Sequence, residues 1–257
     1  MKCSVGIDVG SASAEALILR DGKILAYSIL ETGANSRRAA ERALEEALEK
    51  AGISRSEVGP IVATGYGRIS VDFASRQVTE ISCYARGINY LYPEVRMVID
   101  IGGQDSKAIL VGKNGRVLDF VMNDKCAAGT GRFLEVMAKV MEVKVEELGE
   151  ISLRSRNPAE ISSTCTVFAE SEVVSLIARG IPVEDIAAGI HKAIARRVGA
   201  MARRIGVTPP VAFAGGVAKN VGVVRALEEE LGVKLIVPEE PQIIGALGAA
   251  LLASEEG

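Results

Sequence analysis

Two of the four cysteines stand in segments with several polar residues. Cys126 lies within residues 123–132 (NDKCAAGTGR), Cys165 lies within residues 161–171 (ISSTCTVFAES), and each segment runs into a predicted helix. The positive end of a helix dipole favours thiolate and other anionic sulfur. Both residues are therefore predicted ligands of a metal or redox centre.

The other two cysteines are predicted to be core residues, because Cys3 falls in a predicted strand and Cys83 in a predicted helix. A [4Fe–4S] cluster takes four thiolates, so two thiols per chain fit one cluster on the axis of a two-fold dimer. Spacing alone leaves a zinc site, a disulfide and simple burial open, since no C-x-x-C pair exists. The single histidine, His191, excludes a multi-histidine zinc site and is predicted to be structural.

Two further segments place a carboxylate beside glycine in the same order of residue types. Residues 7–11 are Ile-Asp-Val-Gly-Ser and residues 99–103 are Ile-Asp-Ile-Gly-Gly. Each is followed by an apolar run, an Asp-Gly or Asn-Gly pair and a second apolar run, which is a strong hairpin signal. The pattern recurs after about 92 residues, and a repeat of that length indicates a duplicated domain.

Both turns have the composition of a phosphate site. Glycine lets backbone N–H groups approach an anion, while Asp8 and Asp100 are predicted to reach Mg²⁺ and its waters. Gln104 or Asp105 is predicted to orient an attacking water, because phosphoryl transfer depends on positioning and electrostatics. The predicted phosphate-binding residues are Gly10, Ser11, Ala12, Ser13, Gly102, Gly103 and Gln104, together with Gly129 and Thr130.

A third turn, Gly215-Gly216, follows an apolar run and precedes a predicted helix. A flat adenosine can lie against such bare backbone, with Lys219 and Asn220 beside it. Neither the Walker pattern nor a strand-linked G-x-G-x-x-G occurs, so a different kind of nucleotide site is predicted.

These three motifs, in this order, resemble the ATPase superfamily of actin, Hsp70 chaperones and sugar kinases. The resemblance implies an α/β fold of two duplicated halves, residues 1–94 and 95–257, with ATP in the cleft between them. A C-terminal helix near 242–254 is expected to pack back toward the first half. Periodicity predicts helices over 36–51, 77–91, 131–141, 167–178, 183–205 and 242–253, and strands over 61–63, 95–101, 211–214 and 235–237.

The two cysteine segments and residues 63–68 (ATGYGR) closely resemble the activator ATPases of 2-hydroxyacyl-CoA dehydratases. That family also covers benzoyl-CoA reductase ATPase subunits and reductases of double-cubane cluster proteins. The resemblance implies a homodimer bridged by one [4Fe–4S] cluster on Cys126 and Cys165. It also implies ATP or ADP with Mg²⁺, ferredoxin or flavodoxin as electron source, and an iron–sulfur dehydratase, reductase or double-cubane cluster protein as electron acceptor.

The chain departs from this family at the first phosphate turn. Relatives commonly have Thr and Lys where Ala12 and Glu15 stand here, which puts one phosphate contact in question. Two other functions of the same fold stay open, a small-molecule kinase without a cluster and a filament-forming ATPase. Iron content separates both from an electron donor.

Composition excludes several classes of partner. The formal net charge is −3, aromatic residues make up 4% of the chain and Trp is absent, so neither nucleic acid nor an anionic membrane is an expected partner. The N-terminus lacks the pattern of a signal peptide and no long apolar run is present, so the cytoplasm is the expected compartment. The pairs Arg196-Arg197 and Arg203-Arg204 are predicted to form a solvated helix face.

Overall fold

The computed structural model describes residues 2–256, and these fall into two compact units. One unit comprises Met1–Val98, Ile109–Asp119 and Glu239–Gly257, and the other comprises Ile99–Ala108 and Phe120–Pro238. The chain therefore passes between the units several times, whereas the sequence suggested one division near residue 94. Three strands described below have one end in each unit.

The first sheet has five strands in the order β3-β2-β1-β4-β5. Its strands are β1 (Cys3–Val9), β2 (Ser13–Arg20), β3 (Lys23–Glu31), β4 (Val58–Thr64) and β5 (Arg76–Gln77). Strand β1 is antiparallel to β2 and parallel to β4, and every one of its residues is buried. Both faces of this sheet are therefore covered, as its continuous apolar runs indicate.

Helix α1 (Ser36–Ala51) covers one face of the first sheet. The Asn35 side chain accepts a hydrogen bond from the N–H of Arg38 at the start of α1, and Gly52 ends the helix in the left-handed conformation. Its apolar stripe of Ala40, Ala43, Leu44 and Ala47 packs on β1 and β2. The predicted bounds of this helix are confirmed.

Helices α2 (Glu80–Leu91) and α8 (Ile244–Ser254) cover the other face. A Cβ atom at Gly248 would overlap the Cys83 carbonyl, and one at Gly6 would overlap the Ala246 carbonyl, so α8 packs backbone to backbone on α2 and β1. The prediction of helix from residue 77 was wrong at its start, because Gln77 belongs to β5 and pairs with Ala63. A 3₁₀ turn, Pro241–Ile243, precedes α8.

The second sheet repeats the topology of the first, with the order β10-β9-β6-β7-β8. Its strands are β6 (Met97–Ile101), β7 (Ser106–Val111), β8 (Val117–Asn123), β9 (Val211–Ala214) and β10 (Leu235–Ile236). The associated helices are α3 (Gly131–Val140), α4 (Leu148–Ser152), α5 (Thr166–Ala178), α6 (Val183–Arg204) and α7 (Val221–Leu231). Each sheet thus has a central strand with an antiparallel hairpin on one side, and the predicted duplication is present. None of the helices formed by residues 2–256 is long and apolar enough to cross a bilayer.

Candidate functional site

The turn between β1 and β2 carries the first predicted phosphate site. The N–H of Gly10 donates to the carbonyl of Ser13 at 2.9 Å, which closes the turn. Asp8 lies on β1 directly opposite Glu15 of β2, and both side chains are buried. Two carboxylates therefore share one cross-strand position beside this turn.

A glycine presses against the Asp8 carboxylate from the neighbouring strand. Gly65 follows β4 with φ +84°, and a Cβ atom there would overlap Oδ1 of Asp8. Only glycine meets both conditions, because L side chains rarely adopt this φ and no space exists for one. Gly65 of the ATGYGR segment thus packs directly against the Asp8 carboxylate, and the sequence did not predict this contact.

The turn between β6 and β7 repeats this construction. The N–H of Gly102 donates to the carbonyl of Asp105 at 3.0 Å. Gly215 follows β9 with φ +85°, and a Cβ atom there would overlap Oδ1 of Asp100. Each unit therefore holds a buried aspartate between a tight hairpin and a glycine in the left-handed region.

Lys107 is the residue of this second turn that sequence reasoning missed. Its Nζ lies 2.9 Å from Oδ2 of Asp100 and 2.8 Å from Oδ2 of Asp105, and the residue is only 3% exposed. Burial alone would lower the pKa of Lys107, but the two carboxylates outweigh it and hold the pKa above its ordinary value. Lys107 follows Asp100 by seven residues, as Glu15 follows Asp8, so an alignment of the two repeats would have marked both positions.

Helix α3 begins at the second turn. The N–H groups of Gly131 and Arg132 donate to the carbonyls of Gly102 and Gly103, each at 2.8 Å. The Thr130 hydroxyl donates to the carbonyl of Ala127 at 2.7 Å. The structure therefore places Thr130, a predicted nucleotide contact, next to the second turn, and its neighbours fix the backbone there.

The predicted adenosine segment forms a 3₁₀ turn, Gly216–Lys219, followed by α7. Oδ1 of Asn220 accepts from the N–H groups of Gly222 (3.0 Å) and Val223 (3.1 Å), so this side chain caps α7. Its Nδ2 lies 3.3 Å from Nε2 of His191, which is 1% exposed. Burial lowers the pKa of His191 to about 4, so the imidazole is neutral near pH 7.

A cavity of about 720 Å³ opens beside Ala218 of this turn. Its walls come from α7 and from the residues that lead to and follow β10. The remaining lining residues are Val221, Val224, Arg225, Glu228, Glu229, Gly232, Val233, Lys234 and Val237. The mixed apolar and charged lining lies next to the backbone where adenosine was predicted.

The two predicted thiol ligands lie in adjacent loops of one unit. The Sγ of Cys126 is 4.0 Å from the carbonyl oxygen of Thr164, the residue before Cys165. Both side chains are partly exposed and neither forms a disulfide. Nδ2 of Asn123 donates to the carbonyl of Cys126 at 2.8 Å, and a carboxylate oxygen of Glu172 accepts from the N–H of Ser162 at 2.6 Å. Side chains on both sides therefore fix the backbone of these loops.

The predicted position of Cys126 at a helix start was wrong. Cys165 is the N-cap residue of α5, but four residues separate Cys126 from Gly131, where α3 begins. The intervening backbone turns at Gly129, with φ +87°, so a helix cannot extend back to Cys126. The helix dipole therefore acts on Cys165 and not directly on Cys126.

The other two thiols are fully buried, as predicted. Burial raises the pKa of Cys83 to about 12, so this thiol stays protonated and unreactive. Within residues 2–256, no group of three or more His, Cys, Asp or Glu side chains is arranged to hold a metal ion. One chain therefore offers two accessible thiols and no complete metal site among these residues.

The prediction of a solvated helix face holds at Arg203 and Arg204, which are exposed, but it was wrong at Arg196 and Arg197. The guanidinium of Arg196 donates to the carbonyl of Ile161 at 2.9 Å, and that of Arg197 reaches the carbonyl of Ser163 at 3.5 Å. Both side chains are half-buried against the loop that carries Cys165. Their contacts lie more than 30 residues away in sequence, so helical periodicity could not identify them.

Three likenesses to known proteins add to this geometry. The family model described as the BadF/BadG/BcrA/BcrD ATPase family matches residues 5–253. The (R)-2-hydroxyglutaryl-CoA dehydratase activating ATPase of Acidaminococcus fermentans is 50% identical over 252 residues, which cover 97% of this chain and 96% of the relative. A solved structure of the activator of the 2-hydroxyisocaproyl-CoA dehydratase from Clostridium difficile, with bound ADPNP, has a TM-score of 0.95 and 50% identity, and the match covers 99% of this chain and 95% of that one.

A more distant likeness concerns the fold alone. A ROK family glucokinase from Streptomyces griseus has a TM-score of 0.62 and 14% identity, with 98% of this chain and 99% of that chain covered. Together with the two repeated five-stranded sheets, this likeness confirms the predicted actin-like and sugar-kinase-like α/β fold.

Proposed function

Since this chain belongs to the BadF/BadG/BcrA/BcrD ATPase family, we propose that it couples ATP hydrolysis to the delivery of a low-potential electron. The acceptor is an iron–sulfur enzyme that acts on acyl-CoA esters. The observation that carries this proposal is the pair of partly exposed thiols, Cys126 and Cys165, on adjacent loops of an ATPase fold.

The two hairpin turns support the ATPase part of the proposal. We assign Asp8 and Asp100 to Mg²⁺ and its waters, because carboxylate oxygens are the ligands that this ion prefers. Lys107 fixes the Asp100 carboxylate. Backbone N–H groups of the turns would bind the phosphate oxygens of ATP. Gln104 or Asp105 orients the attacking water, and no covalent step on the protein is required.

The donor set of the thiol pair fits an iron–sulfur cluster. Two free thiols lie in adjacent loops, and one of them belongs to the N-cap residue of a helix whose dipole favours anionic sulfur. A [4Fe–4S] cluster held there would supply one-electron chemistry at low potential. Cys126 and Cys165 would hold it, and a second copy of the chain would supply the other two thiolates.

An exposed apolar surface on α5 supports the homodimer. Val167 and Phe168, which immediately follow the Cys165 loop, are each 65% exposed, and Val174 and Ile177 continue the surface along the helix. Large exposed apolar side chains that cluster on one helix mark an interaction surface. We propose that this surface packs against its counterpart in the second copy, around the shared cluster.

The names of relatives bear on the partner. One is named for a dehydratase of (R)-2-hydroxyglutaryl-CoA and another for a dehydratase of 2-hydroxyisocaproyl-CoA, so the acyl group differs while the activator function is common. We therefore propose a 2-hydroxyacyl-CoA dehydratase or a related reductase as acceptor, and ferredoxin or flavodoxin as the electron source.

Anaerobic purification tests this proposal. Iron and sulfide content are measured together with the mass of the particle in solution. The expected result is a dimer with about four iron and four sulfide per particle. Its dithionite-reduced form should transfer electrons to an acyl-CoA dehydratase with ATP present and not with ADP. An iron-free monomer that phosphorylates a sugar or carboxylic acid would instead establish the small-molecule kinase.

A further inference from the structure

Arg197 lies where the two cysteine loops meet. Its aliphatic stem packs on Gly129, three residues after Cys126, because a Cβ atom at that glycine would stand 3.0 Å from Cγ of Arg197. Its guanidinium donates to the carbonyl of Ser163, two residues before Cys165, at 3.5 Å. One side chain on α6 thus contacts both loops.

Arg197 and its neighbour Arg196 differ in whether a carboxylate pairs with them. Arg196 pairs with Glu160 at 3.1 Å, whereas no carboxylate of the described chain pairs with Arg197. Because Arg197 is only partly exposed, its positive charge is screened less than that of a fully exposed side chain and would attract an anion held between the two loops. The anionic groups expected at this place are the thiolates of the two loops.

We propose that Arg197 is a positioning residue that holds the Cys126 and Cys165 loops together and directs a positive charge at their thiolates. The first part depends only on contacts within the chain. The second part rests on the proposed function, because it concerns the charge of an iron–sulfur centre on these thiols. No bond forms or breaks at Arg197 in either part.

Two changes at this position separate packing from charge. Arg197→Met keeps a stem of similar length against Gly129 and removes the guanidinium. Arg197→Lys keeps the positive charge and loses the planar guanidinium group that donates to the carbonyl of Ser163. Arg204→Met is the matched control, since Arg204 lies seven residues further along the same helix and is exposed.

The first experiment uses the full chain stripped of iron and needs no cluster. A short bis-maleimide links Cys126 to Cys165, and mass spectrometry identifies the linked peptides. The linking rate is divided by the alkylation rate of each thiol, measured in the Cys126→Ser and Cys165→Ser backgrounds. Arg197→Met should slow this normalised rate roughly tenfold, the size expected on losing a hydrogen bond from a charged donor. Arg197→Lys should slow it less, and Arg204→Met should leave it unchanged.

The second experiment uses the iron-loaded protein. A cation near the centre stabilises its extra electron, so Arg197→Met should shift the midpoint potential to more negative values, whereas Arg197→Lys should stay close to wild type. A wild-type linking rate in Arg197→Met overturns the positioning role, whether or not iron is present. Slow linking in a chain that never holds iron preserves the positioning role and refutes the proposed function. Unchanged potential with slow linking removes the electrostatic part alone.

If Arg197→Met does not fold, Arg197→Lys carries the test. Its slower linking would support the contact with Ser163, and a wild-type rate would overturn it.

Discussion

Replacing Lys107 with methionine should destabilise the protein more than any exposed ion-pair variant. Asp100 is 1% and Lys107 3% exposed, so the change removes the ammonium that bonds a carboxylate in a dry environment. Removing one partner of a buried pair costs about 3–5 kcal/mol, because the remaining charge is neither solvated nor compensated. In a protein of this size that corresponds to a fall in Tm of roughly 10 °C.

Asp105, the second carboxylate that pairs with Lys107, determines how much unfolding free energy each related variant should lose. Asp100→Asn leaves Lys107 paired with Asp105 at 2.8 Å, so its cost should be smaller than that of Lys107→Met. The Asp105 side chain is 27% exposed, so Asp105→Asn should cost least, about 1 kcal/mol. The double variant Lys107→Met/Asp100→Asn should recover part of the loss, because the buried carboxylate is then neutral.

Thermal and urea unfolding at pH 7 measure these differences. Lys50→Met is the matched control, since Lys50 forms a 2.7 Å pair with Glu46 on the exposed face of α1 and should change stability by less than about 0.5 kcal/mol. A Lys107→Met variant within about 1 kcal/mol of wild type, or a double variant no more stable than Lys107→Met, would show that the Lys107–Asp100 pair is not a costly buried pair.

Three further outcomes follow from the site. Cys126→Ser or Cys165→Ser should lose the iron, while Cys83→Ser keeps it because that thiol is buried with a pKa of about 12; full iron in either of the first two variants would rule out the shared cluster. The folded-state pKa of His191 is about 4, below the ordinary value, so the unfolded chain binds the proton first on acidification. Roughly 3 kcal/mol of unfolding free energy should therefore be lost as the pH falls from about 6.5 to about 4. Urea titrations in which the unfolding free energies of wild type and His191→Asn depend on pH in the same way would contradict this. Gly215→Ala should lower both Tm and ATPase activity more than Gly232→Ala, which has φ +68° but open space around it; equal effects would mean that backbone strain alone matters at Gly215.

Local signals predicted the framework of the site well. The hairpins that join β2 to β3 and β7 to β8 followed from the Asp21-Gly22 and Asn114-Gly115 pairs between apolar runs, which fix a turn without help from the rest of the fold. Helix α1 followed from its amphipathic period and from Gly52 at its end. Two buried thiols and two partly exposed ones were separated correctly by the character of their flanking residues.

Contacts between distant segments explain what the sequence did not reveal. Lys107 looked like an ordinary strand residue until the pairing of β6 with β7 brought it to Asp100. Arg197 looked solvated because its partners lie in loops 34 and 68 residues earlier in the chain. Helix α3 begins at Gly131 as the apolar period predicts, but the left-handed turn at Gly129 keeps Cys126 away from that helix start, and no local signal indicated this turn.

The most direct test of the electron-donor account is the rate at which a chelator removes iron from the reduced protein. The rate is measured with ATP, with ADP and without nucleotide, and Asp8→Asn serves as the control that should lose the response. A nucleotide can change this rate only if it binds two states of the protein with unequal affinity. If the protein is an ATP-driven electron donor, the rates with ATP and with ADP should differ. Identical rates, with both nucleotides shown to be bound, would contradict it, because ATP hydrolysis would then have no means of acting on the thiol-held centre.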